Sequence, residues 1–320
     1  MTSEVFFSYI IPTIGRASLE TAAKSILDQD FARANFEVII VNDSGNPLPA
    51  ADWHASPRVR IIDTNKCERC FARNSGAAVA KGKYLAFLDD DDWILPGALE
   101  SFWHLAKQYP NAAWLYGGIR IVDGEGEILA EINSKLNGNR FAQIMGGAWA
   151  PIQASLVDAR SFFEVGMFNP LIAVTEDEDL CRRIAYHGDI ANTPEVVAVL
   201  YRGQTWNTSS NYLRAPEDVK YSRDLILSNP GVLQRLMASA DAAFWYGRIL
   251  RVYLSTISWN WKKKRVLTAL SRVFYSAVIF SASLQYFFSK EYWSGLKAQH
   301  VPDTLHFVME EYERNRLAGN

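Results

Sequence analysis

Cysteine is scarce. Cys67, Cys70 and Cys181 are the only three among 320 residues, an odd number that excludes a disulfide framework. The first residues, Met1 to Glu4, contain no basic stretch and lead into no long apolar run. No secretion signal is read there, and a reducing, cytoplasmic setting is expected. Charge of one sign is also lacking: the formal net charge is -2, so no global field attracts nucleic acid. The uncharged run Val273 to Phe288 is 16 residues, short of the ~20 needed to span a bilayer as a helix. No internal repeat or low-complexity tract is visible. What remains is an ordinary globular composition, 49% hydrophobic and 21% charged, long enough for one large domain or two modest ones.

The first 125 residues alternate short apolar runs with amphipathic segments. Phe6 to Ile11 reads as a strand ended by Pro12. Leu19, Ala22, Ala23, Ile26 and Leu27 recur at helical spacing behind Ser18, a candidate N-cap. Val38 to Val41 and Val59 to Ile62 read as buried strands, Ala72 to Ala80 as a helix, and Tyr84 to Leu88 as a fourth strand. Pro96 opens a further helix to about Tyr109. This β-α rhythm predicts an α/β fold, a mostly parallel, Rossmann-like sheet flanked by helices. Gly124 and Gly126 predict a hairpin between Trp114–Val122 and Ile128–Ile132. Beyond residue 215 the pattern is helical, and aromatic residues crowd the last quarter. The expected division is residues 1–210 as the α/β domain and 211–320 as a helical C-terminal region.

Ligands of such sheets bind beyond the carboxyl ends of the strands, and polar clusters fall there: Pro12 and Thr13, Asn42 and Asp43, then Asp89, Asp90, Asp91 and Asp92. If strand geometry persists past Leu88, Asp89 and Asp91 face one side. Adjacent carboxylates repel, and a hard divalent cation, Mn²⁺ or Mg²⁺, offsets their charge with the oxygen ligands it prefers. The bland alternative is a solvated acidic turn before the next helix. Asp43 is either a turn residue or an acceptor for a nucleobase or ribose. Glu176, Asp177, Glu178 and Asp179 open a helix that ends at His187 and Gly188. Acids there complement the helix dipole; alternatively, Asp177 is a general base.

Five segments in order carry a resemblance: IPTIGR (Ile11 to Arg16), IIVNDSG (Ile39 to Gly45), ARNSGAAVAKGKYLAFLDDDD (Ala72 to Asp92), VGMFNP (Val165 to Pro170) and EDEDL (Glu176 to Leu180). Across about residues 5 to 205 the chain resembles the inverting glycosyltransferase family 2, whose fold is called GT-A. The resemblance implies that Pro12 and Thr13 line the donor nucleotide, Asp43 contacts the base and Arg73 lies beside the nucleotide. Asp89 and Asp91 would be the family's D-x-D pair, Asp89 nearer the ribose and Asp91 on the metal, with Asp90 between them on the donor side. Asp177 would be the catalytic base. By position, the glycine-rich segment Gly146 to Gln153 and Glu176 would face the acceptor. There Trp149 either stacks on a sugar or is a core tryptophan.

Two departures stand out. Family members often have a His shortly after a Tyr-Arg pair, but Gly203 and Gln204 follow Tyr201 and Arg202, and no His occurs between His187 and His300. Metal binding would then rest mainly on Asp91 and the donor diphosphate. Cys67, Glu68, Arg69 and Cys70 replace a usually small, glycine-containing loop; a lone C-x-x-C can signal redox or zinc chemistry, and loop packing is the alternative.

In the C-terminal region, Trp259, Trp261 and Lys262 to Arg265 precede apolar residues at helical spacing from Val266 to Phe288. That suits either a peripheral membrane contact or a helix packed on its own protein or a second subunit. The expected activity is an inverting, metal-assisted transfer of a hexose-type sugar from a UDP-, GDP- or dTDP-sugar to a hydroxyl of a glycan or lipid-linked acceptor, in glycan or cell-surface polysaccharide assembly. The cytoplasm, extending to the inner face of the membrane, is the expected location. Rival readings are a non-catalytic sugar-nucleotide-binding scaffold and a sugar-1-phosphate nucleotidyltransferase. The latter needs a glycine- and lysine-rich triphosphate loop, and Ile10 to Ser18 has no lysine.

Overall fold

The computed structural model describes residues 4–172, 174–202, 215–262 and 264–297. The described chain forms two compact units, residues 1–140 with 150–218 and residues 141–149 with 219–320.

In chain order the first part runs β1 (Val5–Thr13), α1 (Leu19–Leu27), β2 (Asn35–Asn42), β3 (Val59–Asp63), α2 (Arg69–Val79), β4 (Tyr84–Phe87), β5 (Trp93–Ile94), α3 (Ala98–Gln108), β6 (Trp114–Asp123) and β7 (Ile128–Ile132). After α4 (Phe141–Met145), which belongs to the second unit, come β8 (Ser155–Asp158), α5 (Ala159–Glu164), α6 (Glu176–His187) and β9 (Ile190–Arg202). The nine strands form one sheet in the order β3-β2-β1-β4-β8-β6-β9-β5, with β7 paired to β6. Parallel pairing holds for β3-β2-β1-β4 and for β6 with β9. The pairs β4-β8, β6-β8, β6-β7 and β5-β9 are antiparallel, so the α/β sheet is mixed.

The local reasons are simple. Val38 to Val41 are fully buried because the centre of a parallel sheet is covered on both faces. Helix α1 buries Leu19, Ala22, Ala23 and Ile26, the stripe its spacing predicts, although Ser18 makes no side-chain cap. Helix α3 starts at Ala98, after left-handed Gly97, rather than at Pro96. Helix α2 lies close on β1 and β2 because Gly76 has no side chain. A Cβ there would stand 2.5 Å from Ile10 Cγ2 and 2.9 Å from Val41 Cγ2. This approach brings the α2 residue Arg73 to the carboxyl edge of the sheet.

The second unit comprises α4, then α7 (Ala215–Leu227) from residue 219, α8 (Val232–Ala238), α9 (Ala242–Lys262), α10 (Val266–Ser283) and α11 (Lys290–Lys297). Two buried guanidiniums hold the α4 segment: Arg223 Nε donates to the Met145 carbonyl and Arg248 Nε to that of Gly146, both at 2.8 Å. Helices α9 and α11 cross almost backbone to backbone at two glycines. A Cβ on Gly247 would fall 2.0 Å from the Tyr292 carbonyl oxygen, and one on Gly295 2.1 Å from that of Phe244.

Candidate active site

Strand β4 ends at Phe87, and the four aspartates that follow do not extend it. The Asp92 amide donates to the Asp89 carbonyl at 3.1 Å, closing a turn over Asp89–Asp92. The expectation of continued strand geometry is thereby corrected. Because the chain turns, Asp92 joins Asp89 and Asp91, and one carboxylate oxygen from each lies within 4.8 Å of the others. Asp90 points elsewhere. It accepts from Thr13 Oγ1 at 2.6 Å and from Arg16 at 2.7 Å, and the same Arg16 nitrogen reaches Asp91 at 3.2 Å.

Asp89 is fixed from two sides. Arg73 donates to its Oδ1 at 2.6 Å, and Gln153 Nε2 donates to its Oδ2 at 3.2 Å. Arg73 is 2% exposed, lies against the Phe168 ring, and gives its other terminal nitrogen to Glu176 Oε1 at 2.9 Å. Glu176 also takes Arg69 at 3.0 Å. A buried guanidinium between two carboxylates is a rigid device, because its loss strands buried charge.

Electrostatics separate the four acids. Burial opposes ionisation of Asp89, yet the Arg73 charge and hydrogen bond outweigh it and hold this carboxyl below its ordinary value. Burial pushes Asp91 up, helped by the Asp89 charge and opposed by Arg16. Burial pushes Asp92 well up, although it accepts the Tyr201 amide at 2.9 Å. Two carboxyls that resist ionising beside one that is ionised suit a divalent cation, and an all-oxygen donor set fits Mg²⁺ or Mn²⁺.

Asp177 stands in the first turn of α6, half-buried, and its Oδ1 accepts the Glu178 amide at 2.9 Å. Its charge acts on Arg73 and Glu176, which places it beside that ion pair. Glu176, expected on the acceptor side, is committed to Arg69 and Arg73. Trp149 belongs to the second unit and its ring is buried, 7% exposed. Gly203, Gln204 and His300 lie outside the described residues.

Asp43 is anchored at the end of β2. Its Oδ1 accepts Thr64 Oγ1 at 2.7 Å and the Cys67 amide at 2.8 Å, and its Oδ2 accepts the Glu68 amide at 3.1 Å. These bonds hold a loop in which Lys66 and Glu68 adopt left-handed φ of 52° and 73°. Non-glycine residues enter that region at a cost, so Asp43 secures here what glycine permits cheaply elsewhere. The three thiols are free, Cys67 exposed and Cys70 buried with its thiol pushed up to about 12 by burial. Ile14, Asp43, Ser44, Lys66 and Glu68 line an open cavity of about 350 Å³. Half-buried Pro12 precedes Thr13 at the end of β1.

Sequence reasoning missed three contributors. Arg16 lies inside the IPTIGR segment, whose pattern alone assigns it no role. Asp92 needed the turn to be seen, and Arg69 reaches Glu176 only through the tertiary fold.

The sequence model described as "Glycosyl transferase family 2" matches residues 8–156. An uncharacterized glycosyltransferase of Haemophilus influenzae is 35% identical over 111 residues, 34% of this chain and 37% of that protein. Poly(ribitol-phosphate) beta-N-acetylglucosaminyltransferase TarP of Staphylococcus aureus is 30% identical over 125 residues, 37% of this chain and 38% of that protein. Each match spans less than half of the relative's length. The crystal structure of S. aureus TarS 1-349 in complex with UDP-GlcNAc superposes with a TM-score of 0.56 at 16% identity, covering 78% of this chain and 81% of that one. At such identity the likeness is one of fold. Asp177 lies beyond the matched residues, whereas Thr13, Asp43, Arg73, Asp89, Asp91 and Gln153 lie within them. Residues 8–156 match the glycosyl transferase family 2 model, and the sheet that holds them is of the GT-A type.

Proposed function

We propose that the protein is an inverting glycosyltransferase that moves a hexose-type sugar from a nucleoside-diphosphate sugar to an acceptor hydroxyl, in the assembly of a cell-surface polysaccharide. The observation that carries this reading is the convergence of Asp89, Asp91 and Asp92 within 4.8 Å at the carboxyl edge of the sheet. UDP is the first donor to test, since TarS was solved with UDP-GlcNAc and TarP is named for N-acetylglucosaminyl transfer.

The geometry supports one division of labour. The cavity beside Asp43, Ile14 and Lys66 takes the nucleoside, with Pro12 and Thr13 just before Ile14 at the end of β1. Arg73 and Gln153 orient the Asp89 carboxylate. Thr13 and Arg16 turn Asp90 away and leave Asp91 toward the diphosphate. When bound at Asp89, Asp91 and Asp92, a divalent cation supplies positive charge to the diphosphate and its departure. The acceptor oxygen attacks the anomeric carbon from the face opposite the leaving nucleotide. Asp177 takes its proton, while Glu176 beside it stays locked in its ion pair. The reaction is placed in the cytoplasm, in keeping with the free thiols.

Thermal melting with UDP, GDP and dTDP, each with Mn²⁺, tests the reading. A ligand that binds only the folded protein raises its stability, so one nucleotide should raise the melting temperature and lose that effect in EDTA. Turnover of the matching sugar nucleotide should release a nucleoside diphosphate. Release of pyrophosphate from a nucleoside triphosphate and a sugar phosphate, or no response to any nucleotide, contradicts the proposal.

A further inference from the structure

Helix α10 is built inside out. Its buried residues are Ala269, Arg272, Ser276 and Ser283, small or polar. Its outward residues are Leu267, Leu270, Val273, Phe274 and Val278, all exposed, with Leu267 at 84% and Phe274 at 65%. Positions 267, 270, 274 and 278 share one stripe at helical spacing, and Phe288, 97% exposed, continues the apolar surface beyond the helix. The inner face is occupied. It packs on α9, with Tyr275 stacked on Tyr253 at 5.7 Å, and Ser283 donates to the Tyr292 hydroxyl at 3.1 Å. A soluble helix turns the opposite stripe outward, and contiguous apolar surface of this kind marks a site of association.

Along the sequence of this helical hairpin the charge has one sign. Between Asp241 and Glu291 the sequence contains no acidic residue, whereas Arg248, Arg251, Lys262 to Arg265, Arg272 and Lys290 are all basic. Lys262 at the end of α9, beside exposed Trp261, and Lys264 and Arg265 in the turn that leads into α10 are exposed. A second copy of the chain would bring the same exposed Lys262 and Lys264 to the contact, like charge against like. An anionic lipid surface brings the missing sign together with an apolar interior.

We propose that the outward face of α10 and the basic turn before it seat this protein on an anionic membrane surface, the helix lying in the plane of the interface. Val266–Tyr286 is long and apolar enough to cross a membrane by length and composition alone. Packing on α9 argues for the in-plane arrangement. One side of α10 is packed on α9 and buries an arginine and two serines, and only the other side is apolar. An amphipathic helix with aromatic residues and lysines at its border behaves this way. This inference is independent of the transferase reading, and its test uses no activity.

The full chain is sedimented with vesicles of phosphatidylcholine, with or without phosphatidylglycerol, at low and high salt. Binding to the phosphatidylglycerol vesicles that salt weakens is expected, with little binding to phosphatidylcholine alone. Lys262→Gln and Lys264→Gln should each weaken binding about fivefold. Leu270→Gln with Phe274→Gln should weaken it at least about tenfold. All four side chains are exposed, and far-UV circular dichroism checks the fold of each variant. Should the apolar pair misfold, the lysine variants decide alone. Equal binding to both vesicle types, or none at low salt, overturns the proposal. A concentration-dependent dimer without vesicle binding, abolished by Leu270→Gln with Phe274→Gln, assigns the face to a second copy instead.

Discussion

The edge of the sheet and the α9–α10 hairpin break the usual sorting of residues in opposite directions. At the sheet edge, charge is inside: Arg73, Glu176 and Asp92 are almost fully buried. On α10, apolar side chains are outside while an arginine and two serines face inward. Ordinary folding energetics favours neither arrangement. Departures from local consistency tend to mark sites where something else binds. Here the first departure fits a metal and a diphosphate, and the second a lipid surface.

Substitutions can break or sharpen this contrast. The largest effect is expected at Asp91→Ala, which should abolish transfer and remove any gain in nucleotide affinity from Mn²⁺; full activity in excess chelator would show that the acids serve another end. Arg73→Met should cost about 3–5 kcal/mol in denaturant unfolding, because it leaves Glu176 and Asp89 without their shared partner. A cost near zero would mean that the buried ion pair is dispensable. Asp92→Asn is subtler. Its raised value means that the folded protein binds more protons than the unfolded chain between pH 3.8 and that value, so metal-free stability falls as pH rises through this window. Asn keeps the acceptor for the Tyr201 amide and removes the slope. At neutral pH the metal-free variant should melt higher by about 2–4 °C and respond less to Mn²⁺. An unchanged pH profile would contradict the assignment. The smallest effect belongs to the hairpin. Leu267→Gln should change stability by no more than about 0.5 kcal/mol, whereas Leu115→Ala in β6 should cost about 2–5 kcal/mol. A large cost at Leu267 would mean that α10 already buries its outer face.

Legibility in the sequence followed the range of the interaction. Strands β1 to β4, helices α1 and α2 and the start of α6 could be read because their apolar period and terminal residues are local. Strand β9 was missed: Pro194 interrupts it, and it pairs with β6 through register shifts around Gly118. Strand β8 has only four residues between turns. The assignment of Phe141–Trp149 to the second unit depends on Arg223 and Arg248, far along the chain. At the site, the resemblance supplied Asp89, Asp91 and Arg73. The pairing of Arg73 with Glu176 joins residues 103 apart, which no motif encodes. Asp43 illustrates the reverse. Its turn chemistry was apparent, but its grip on Cys67 and Glu68 follows from two left-handed residues that only the backbone reveals.

The central claim is that the acids at this edge perform transfer rather than merely complete a fold, and Asp177→Asn tests it most directly. A carboxylate that only complements the helix dipole contributes about 0.5–2 kcal/mol to stability and nothing to chemistry. A general base contributes about 10²–10⁴-fold in rate. Asn preserves size and hydrogen-bonding capacity but cannot take the acceptor proton. Nucleotide binding and the melting temperature are measured beside the transfer rate. The account predicts wild-type binding, a near wild-type melting temperature and a rate reduced by at least about 10². Near wild-type turnover, with or without a lowered melting temperature, would contradict it.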